Sequence, residues 1–348
     1  MQGLIDWDLA QRVGGMLAGR PVTDGSVFDR LGPIAGESLE AVVDYSRLAP
    51  RSPIPDAEVV SRQEWIDVNS RSLALLLDPA LAGVSRPSRD ARAGVHLLGE
   101  AVLTVEAGSV LGLLSRRVLG QYEEALVRGG EHPPPRLLFV DANLDAAMVS
   151  LGDTGDDFLR WVTIHEVTHA VQFGSVPWLR DHLGSLVGEL VASLGSERRN
   201  GQRSLRGIAG EAVGRAGRSI RRRDPLALMM AAEEHRLVAS LQSAMSLIEG
   251  HAEHVMDRAD TDRLRTVPRL RAAMAERRRS PGPLWKVLGK VLGLELKMRQ
   301  YETGRSFCDS VVDRAGVGAL NLAWESPDAL PSQRELDSPG LWLARVCA

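Results

Sequence analysis

The residues best equipped for chemistry are His165, Glu166 and His169, in the segment Trp161-Val-Thr-Ile-His-Glu-Val-Thr-His-Ala-Val-Gln-Phe173. Its remaining positions are apolar at helical spacing. On a helix advancing about 100° per residue, His165 and His169 differ by one turn plus roughly 40°, so both imidazoles leave the same face and can grip one metal ion. Glu166 lies outside that ligand row but within reach of a water on the metal. His-Glu-x-x-His therefore predicts a zinc-dependent hydrolase in which Glu166 is the general base, taking a proton from water and returning it to the leaving group. Asp153 or Asp156 is placed to cap the start of this helix and Gly174 to end it.

A catalytic zinc takes three protein ligands and leaves a fourth position open. A third histidine in the pattern His-Glu-x-x-His-x-x-Gly-x-x-His is excluded, because Gln172 and Ser175 stand at the required positions. Two glutamates on later helices compete. Glu189 lies about 130° from the apolar stripe of Leu183, Leu186, Val187, Leu190, Val191 and Leu194, as a surface residue would. Glu249 lies about 70° from the stripe formed by Leu237, Leu241, Met245, Ile248, Ala252 and Val255, at its border, from where it can reach a site beside the core. Helical phase thus favours Glu249 as the third ligand. Gly250 lets another backbone come close, and Glu253 is placed to accept from the second nitrogen of a ligating imidazole.

The elements that must hold these residues are mostly helices. Apolar residues recur at three and four over 57–77, 95–128, 157–173, 182–194 and 228–257, with Pro and Gly clusters between them. The expected strand is Arg136-Leu-Leu-Phe-Val140, released by three prolines. The fold class is mainly α with at most a small β element, and residues 1–348 are expected to form a single unit. Within it, 196–223 carries nine arginines interleaved with glycines. That segment has no aromatic on which a base could stack, so it predicts a solvated excursion and not a nucleic-acid surface.

The chain has 348 residues, 42 Lys+Arg and 45 Asp+Glu, a net charge of −3 and 44% hydrophobic residues. Near-neutral charge gives no overall steering toward nucleic acid or an anionic membrane. No run approaches the roughly 18 apolar residues of a membrane span, and no basic, apolar leader opens the sequence. Cys308 and Cys347 make neither a disulfide framework nor a metal pair, which fits a reducing cytoplasm. His96, His132, His182 and His235 lack companions for ligation.

Glu249-Gly-His-Ala-Glu253 resembles the third-ligand segment of gluzincin aminopeptidases. The fuller Met245-Ser-Leu-Ile-Glu-Gly-His-Ala-Glu-His-Val-Met-Asp257 resembles the zincin-like metallopeptidase family of actinobacteria and relatives, labelled as associated with deazaflavin-coenzyme biosynthesis. Supporting matches are Ile5-Asp-Trp-Asp-Leu-Ala10, Val176-Pro-Trp-Leu179, Lys297-Met-Arg-Gln-Tyr301 with Gly304, Ala323-Trp-Glu-Ser-Pro327 and Leu330-Pro331. One departure is Phe139-Val-Asp-Ala-Asn143, where relatives more often have Pro before the Asn. The resemblance implies a mostly helical zincin-like fold with both histidines on an active helix, Glu249 on a partner helix, Zn²⁺ as cofactor and an edge strand that pairs with substrate. It implies no substrate; the expectation from the zinc motif is a peptide or small amide, with a non-peptide amide or ester as the alternative and a non-catalytic, metal-stabilised interaction protein as a third reading. Tyr301, His251 and His254 are the candidates for stabilising an oxyanion.

Overall fold

The computed structural model describes residues 4–19, 25–81, 93–126, 133–152, 156–199, 232–260 and 294–347, with 270 and 272. Along the chain run α1 (Trp7–Ala18), α2 (Ser26–Ser46), β1 (Ala57–Val60), α3 (Arg62–Leu81), α4 (Ala93–Leu114), β2 (Gly120–Glu123), β3 (Arg136–Val140) and α5 (Asp141–Leu151). Then follow α6 (Asp157–Ser175), α7 (Pro177–Arg199), α8 (Ala232–Met256), α9 (Leu294–Leu320), α10 (Gln333–Leu336) and α11 (Pro339–Val346). The fold is mainly α, as expected. Of the Arg/Gly-rich segment only 196–199 falls within the described residues, as the end of α7.

Two expected helices are shorter than their periodicity suggested. Residues 57–60 and 120–123 are strands, and with β3 they form a sheet of order β1-β3-β2. β1 runs parallel to β3, pairing Ala57 with Leu137 and Val60 with Val140, while β2 runs antiparallel, pairing Gly120 with Phe139 and Glu123 with Arg136. The strand seen in the sequence is therefore the central one. Its continuous apolar run suits burial on both faces, and its period of two divides the core. Leu137 and Phe139 join the large cluster, whereas Leu138 and Val140 join a smaller one with Trp65, Ile66 and Leu111.

The large cluster reaches from Val27 to Trp342 and surrounds α6. Phe158, Leu159, Trp161, Val162, Ile164, Val167 and Val171 of α6 are all buried, because α2, α8 and the sheet cover the helix on several sides. Of the two candidate caps, Asp153 lies outside the described residues. Asp156 makes no capping bond; its carboxylate is held by Arg30 at 2.6 and 2.7 Å. Gly174 lies inside α6, which continues to Ser175.

Two local devices position the site. Asn143, 1% exposed, donates to the Ser115 and Val118 carbonyls at 2.7 and 2.6 Å and accepts from Arg62 at 2.9 Å, fixing the connection that enters β2. Helices α8 and α9 cross at Gly250 and Gly304. A Cβ on Gly250 would stand 2.6 Å from the Gly304 oxygen, and one on Gly304 would stand 2.6 Å from the Ser246 carbonyl carbon, so backbone meets backbone there.

Candidate metal centre

His165 and His169 leave α6 toward α8, and Glu249 meets them. His165 Nε2 and His169 Nε2 are 3.2 Å apart, and Glu249 Oε2 lies 3.6 and 3.7 Å from the two nitrogens. These form a group whose ligand atoms all lie within 4.8 Å of one another. Donors held about 2.0–2.1 Å from a tetrahedral zinc stand about 3.3 Å apart, so the three atoms nearly match one face of that tetrahedron. Glu189 is exposed on α7 and takes no part. Helical phase separated the two glutamates as the structure does.

Electrostatics favour a cation at this place. Burial opposes charge on His169, but the Glu249 carboxylate overrides it and pushes the imidazole pKa up to about 9. Burial likewise opposes ionisation of Glu249, and His169 with His165 overrides it, holding the carboxyl far below the ordinary carboxylate range. Each partner is stabilised by charge of opposite sign, and a divalent ion would supply the positive share without a proton. The donor set, two imidazoles and one carboxylate, is that of a borderline cation such as zinc.

Glu166 sits on the neighbouring face of α6, 8% exposed, against β2. Its Oε2 accepts from the Tyr122 amide at 3.2 Å. A Cβ on Gly120 would stand 2.6 Å from Glu166 Cγ, so the glycine gives the side chain its room. Burial raises the Glu166 pKa and the Glu249 charge adds to this, against the opposing pull of the two imidazoles and the Tyr122 amide. Its carboxyl therefore holds a proton more readily than an exposed carboxylate does.

The groups behind the ligands differ from expectation. His169 Nδ1 meets Gln172 Oε1 at 2.9 Å, and His165 Nδ1 is buried with no hydrogen-bond partner, so Glu253 serves neither nitrogen. Gln172 belongs to the same helix as His169, three residues on, and reaches the ring first. His254 is engaged at both nitrogens, by Tyr45 at 2.7 Å and Asp309 at 2.6 Å, which makes it a tie between α2, α8 and α9 and not an oxyanion donor. His251, 1% exposed, packs edge-on against Trp324, and burial pushes its pKa down to about 3. It faces Gln172, behind the ligands. The side chain of Tyr301 lies outside the described residues, although its backbone belongs to α9. The 136–140 strand is central; β1 and β2 are the edges, and β2 is the edge strand beside Glu166. Among the described residues, no helix is long and apolar enough to cross a membrane.

Comparison with known proteins places the chain in a family. No curated protein matches the chain. A solved structure from Chloroflexus aurantiacus, described as a candidate hydrolase with a novel fold, is 26% identical, covers 99% of each chain and superposes with a TM-score of 0.71. The model of the family described as zincin-like metallopeptidase matches residues 5–343. With a His-His-Glu group at its centre and that match over nearly its whole length, the chain belongs to the zincin-like metallopeptidase family.

Proposed function

We propose that the protein is a zinc-dependent hydrolase, a metallopeptidase acting on a peptide or small amide. The convergence of His165, His169 and Glu249 beside a buried Glu166 carries the reading. His165, His169 and Glu249 would hold the ion. Bound there, zinc would supply Lewis acidity, polarising the scissile carbonyl and acidifying a water. Glu166 takes the proton of the attacking water and delivers it to the leaving nitrogen. The Tyr122 amide holds one carboxylate oxygen, leaving the other to exchange the proton.

Substrate alignment falls to β2. The Leu119 carbonyl accepts from the Val140 amide at 2.9 Å, so alternate residues of β2 address β3, and the Tyr122 amide points the other way, to Glu166. An edge strand next to the general base suits an extended peptide laid alongside it. Tyr301, three residues before Gly304 in α9, is the residue proposed to help stabilise the oxyanion. Glu253 is left with no ligand-orienting part, and the single-unit organisation of 1–348 and a cytoplasmic location complete the reading.

The test combines metal analysis with a peptide-library digest. Wild type should carry about one zinc per chain and cleave a subset of peptides. Glu166→Gln should keep the zinc and lose turnover. Retained cleavage by Glu166→Gln would remove the proposed base, and cleavage only of non-peptide amides or esters would move the substrate class.

A further inference from the structure

Gln172 is wholly buried in α6, and its amide meets three groups at once. Its Oε1 lies 2.9 Å from His169 Nδ1; its Nε2 lies 3.0 Å from the Ile248 carbonyl oxygen and 2.9 Å from His251 Nδ1. The Ile248 carbonyl can only accept. The nitrogen end of the amide must therefore face α8, and the oxygen end must face His169. An amide oxygen also only accepts, so the His169 ring carries its proton on Nδ1 and leaves Nε2 bare. That is the nitrogen facing His165 and Glu249.

The opposite arrangement is costly on two counts. Turning the amide over would set Oε1 against the Ile248 oxygen, two buried acceptors with no proton between them. It would also aim an N–H at His169 Nδ1 and drive the ring proton onto Nε2, where a metal has to bind. The backbone carbonyl thus sets the amide, and the amide sets the imidazole. Ile248 immediately precedes Glu249, so the same amide also ties the carboxylate's helix to the helix of the histidines.

We infer that Gln172 is a positioning residue that selects the metal-binding tautomer of His169 and holds α8 in register with α6. The inference rests on the metal-centre reading above. It assigns a purpose to a residue that is otherwise an uncharged amide in a hydrophobic core, where an amide without partners would be destabilising.

The test uses full-length protein. Zinc affinity is measured by competition with a chromophoric chelator for wild type, Gln172→Leu and Gln172→Glu, with His169→Ala as the reference for loss of a ligand. Gln172→Leu should bind zinc about 10–100-fold more weakly, the range for removing a group that orients a ligand, and His169→Ala should lose more. Nitrogen-15 NMR of the zinc-loaded protein should show His169 protonated at Nδ1 with a slowly exchanging proton. That proton should exchange rapidly in Gln172→Leu and slow again in Gln172→Glu, whose carboxyl, protonated on the oxygen that faces the Ile248 carbonyl, can accept it with the other. Affinity within about twofold of wild type in Gln172→Leu, or a wild-type ring protonated at Nε2, overturns the inference. Should Gln172→Leu not fold, the wild-type tautomer still decides. Should wild type bind no zinc, the metal-centre reading fails separately, and slow exchange of the His169 Nδ1 proton in the metal-free wild type against fast exchange in metal-free Gln172→Leu tests the role of Gln172.

Discussion

Gly250→Ala tests how Glu249, the proposed third ligand, is held in place. Residues in ordinary contact keep a Cβ 3.4–4 Å from its neighbours, and at Gly250 the Gly304 oxygen is 2.6 Å away, with the Gly304 carbonyl carbon and Arg305 nitrogen nearer still. Helices α8 and α9 would have to part by at least about 0.8 Å, and the obstacle is backbone, which no rotamer can move aside. Overpacking of this kind costs about 1–3 kcal/mol, against which the helix gains up to about 1 kcal/mol from replacing glycine by alanine. The upper part of the range applies, giving a net loss of about 2 kcal/mol in denaturant unfolding. Glu249 is the adjacent residue, so zinc affinity should fall as well. Gly36→Ala is the control: it is exposed inside α2 with nothing within 4 Å of a new Cβ, and should stabilise by about 0.5–1 kcal/mol. If Gly250→Ala proves as stable as Gly36→Ala and binds zinc like wild type, the backbone crossing does not hold the ligand and the reasoning is refuted.

Other outcomes follow from the same geometry. In zinc titrations Glu249→Ala should weaken binding strongly and Glu189→Ala should not change it; the reverse order would reassign the third ligand. Tyr45→Phe removes the hydroxyl on His254 Nε2 and should cost about 1–2 kcal/mol of unfolding free energy, read by chemical denaturation. Burial would raise the Asp309 carboxyl, but the His254 hydrogen bond with the Arg305 and Arg258 charges holds it below its ordinary value. A lowered folded pKa stabilises above the unfolded value of about 3.9 and is lost as pH falls through the folded one. The acid limb of the stability profile should therefore flatten in Asp309→Asn, and an unchanged limb would show that this carboxylate does not contribute.

Helices α6 and α8 were legible because long apolar stripes leave a clear phase, and that phase also separated Glu249 from Glu189. The need for a small residue at 250 was legible too. Strands β1 and β2 were not. Four residues such as Ala57-Glu-Val-Val60 are too few to distinguish a period of two from one of 3.6, and the partner of β1 is remote in sequence. Asp156 looked like a cap but found Arg30, a residue of another helix. Gln172 carried no signal of its own. An amide acquires meaning only from what faces it, and Ile248 and His251 come more than seventy residues later.

The two histidines are neighbours within α6, whereas Glu249 arrives only when α8 docks. A pair four residues apart can exist as soon as one helix has formed. Bringing in a residue 80 positions further along requires closing a long loop, at about 4 kcal/mol of chain entropy. The site therefore has an order of assembly in time. A chain in which only α6 had formed would present a two-imidazole half-site, and the carboxylate would complete it only once α8 had docked. Tight retention of an ion would then be a sign that the tertiary fold is complete, and would add its own free energy to the docking of α8.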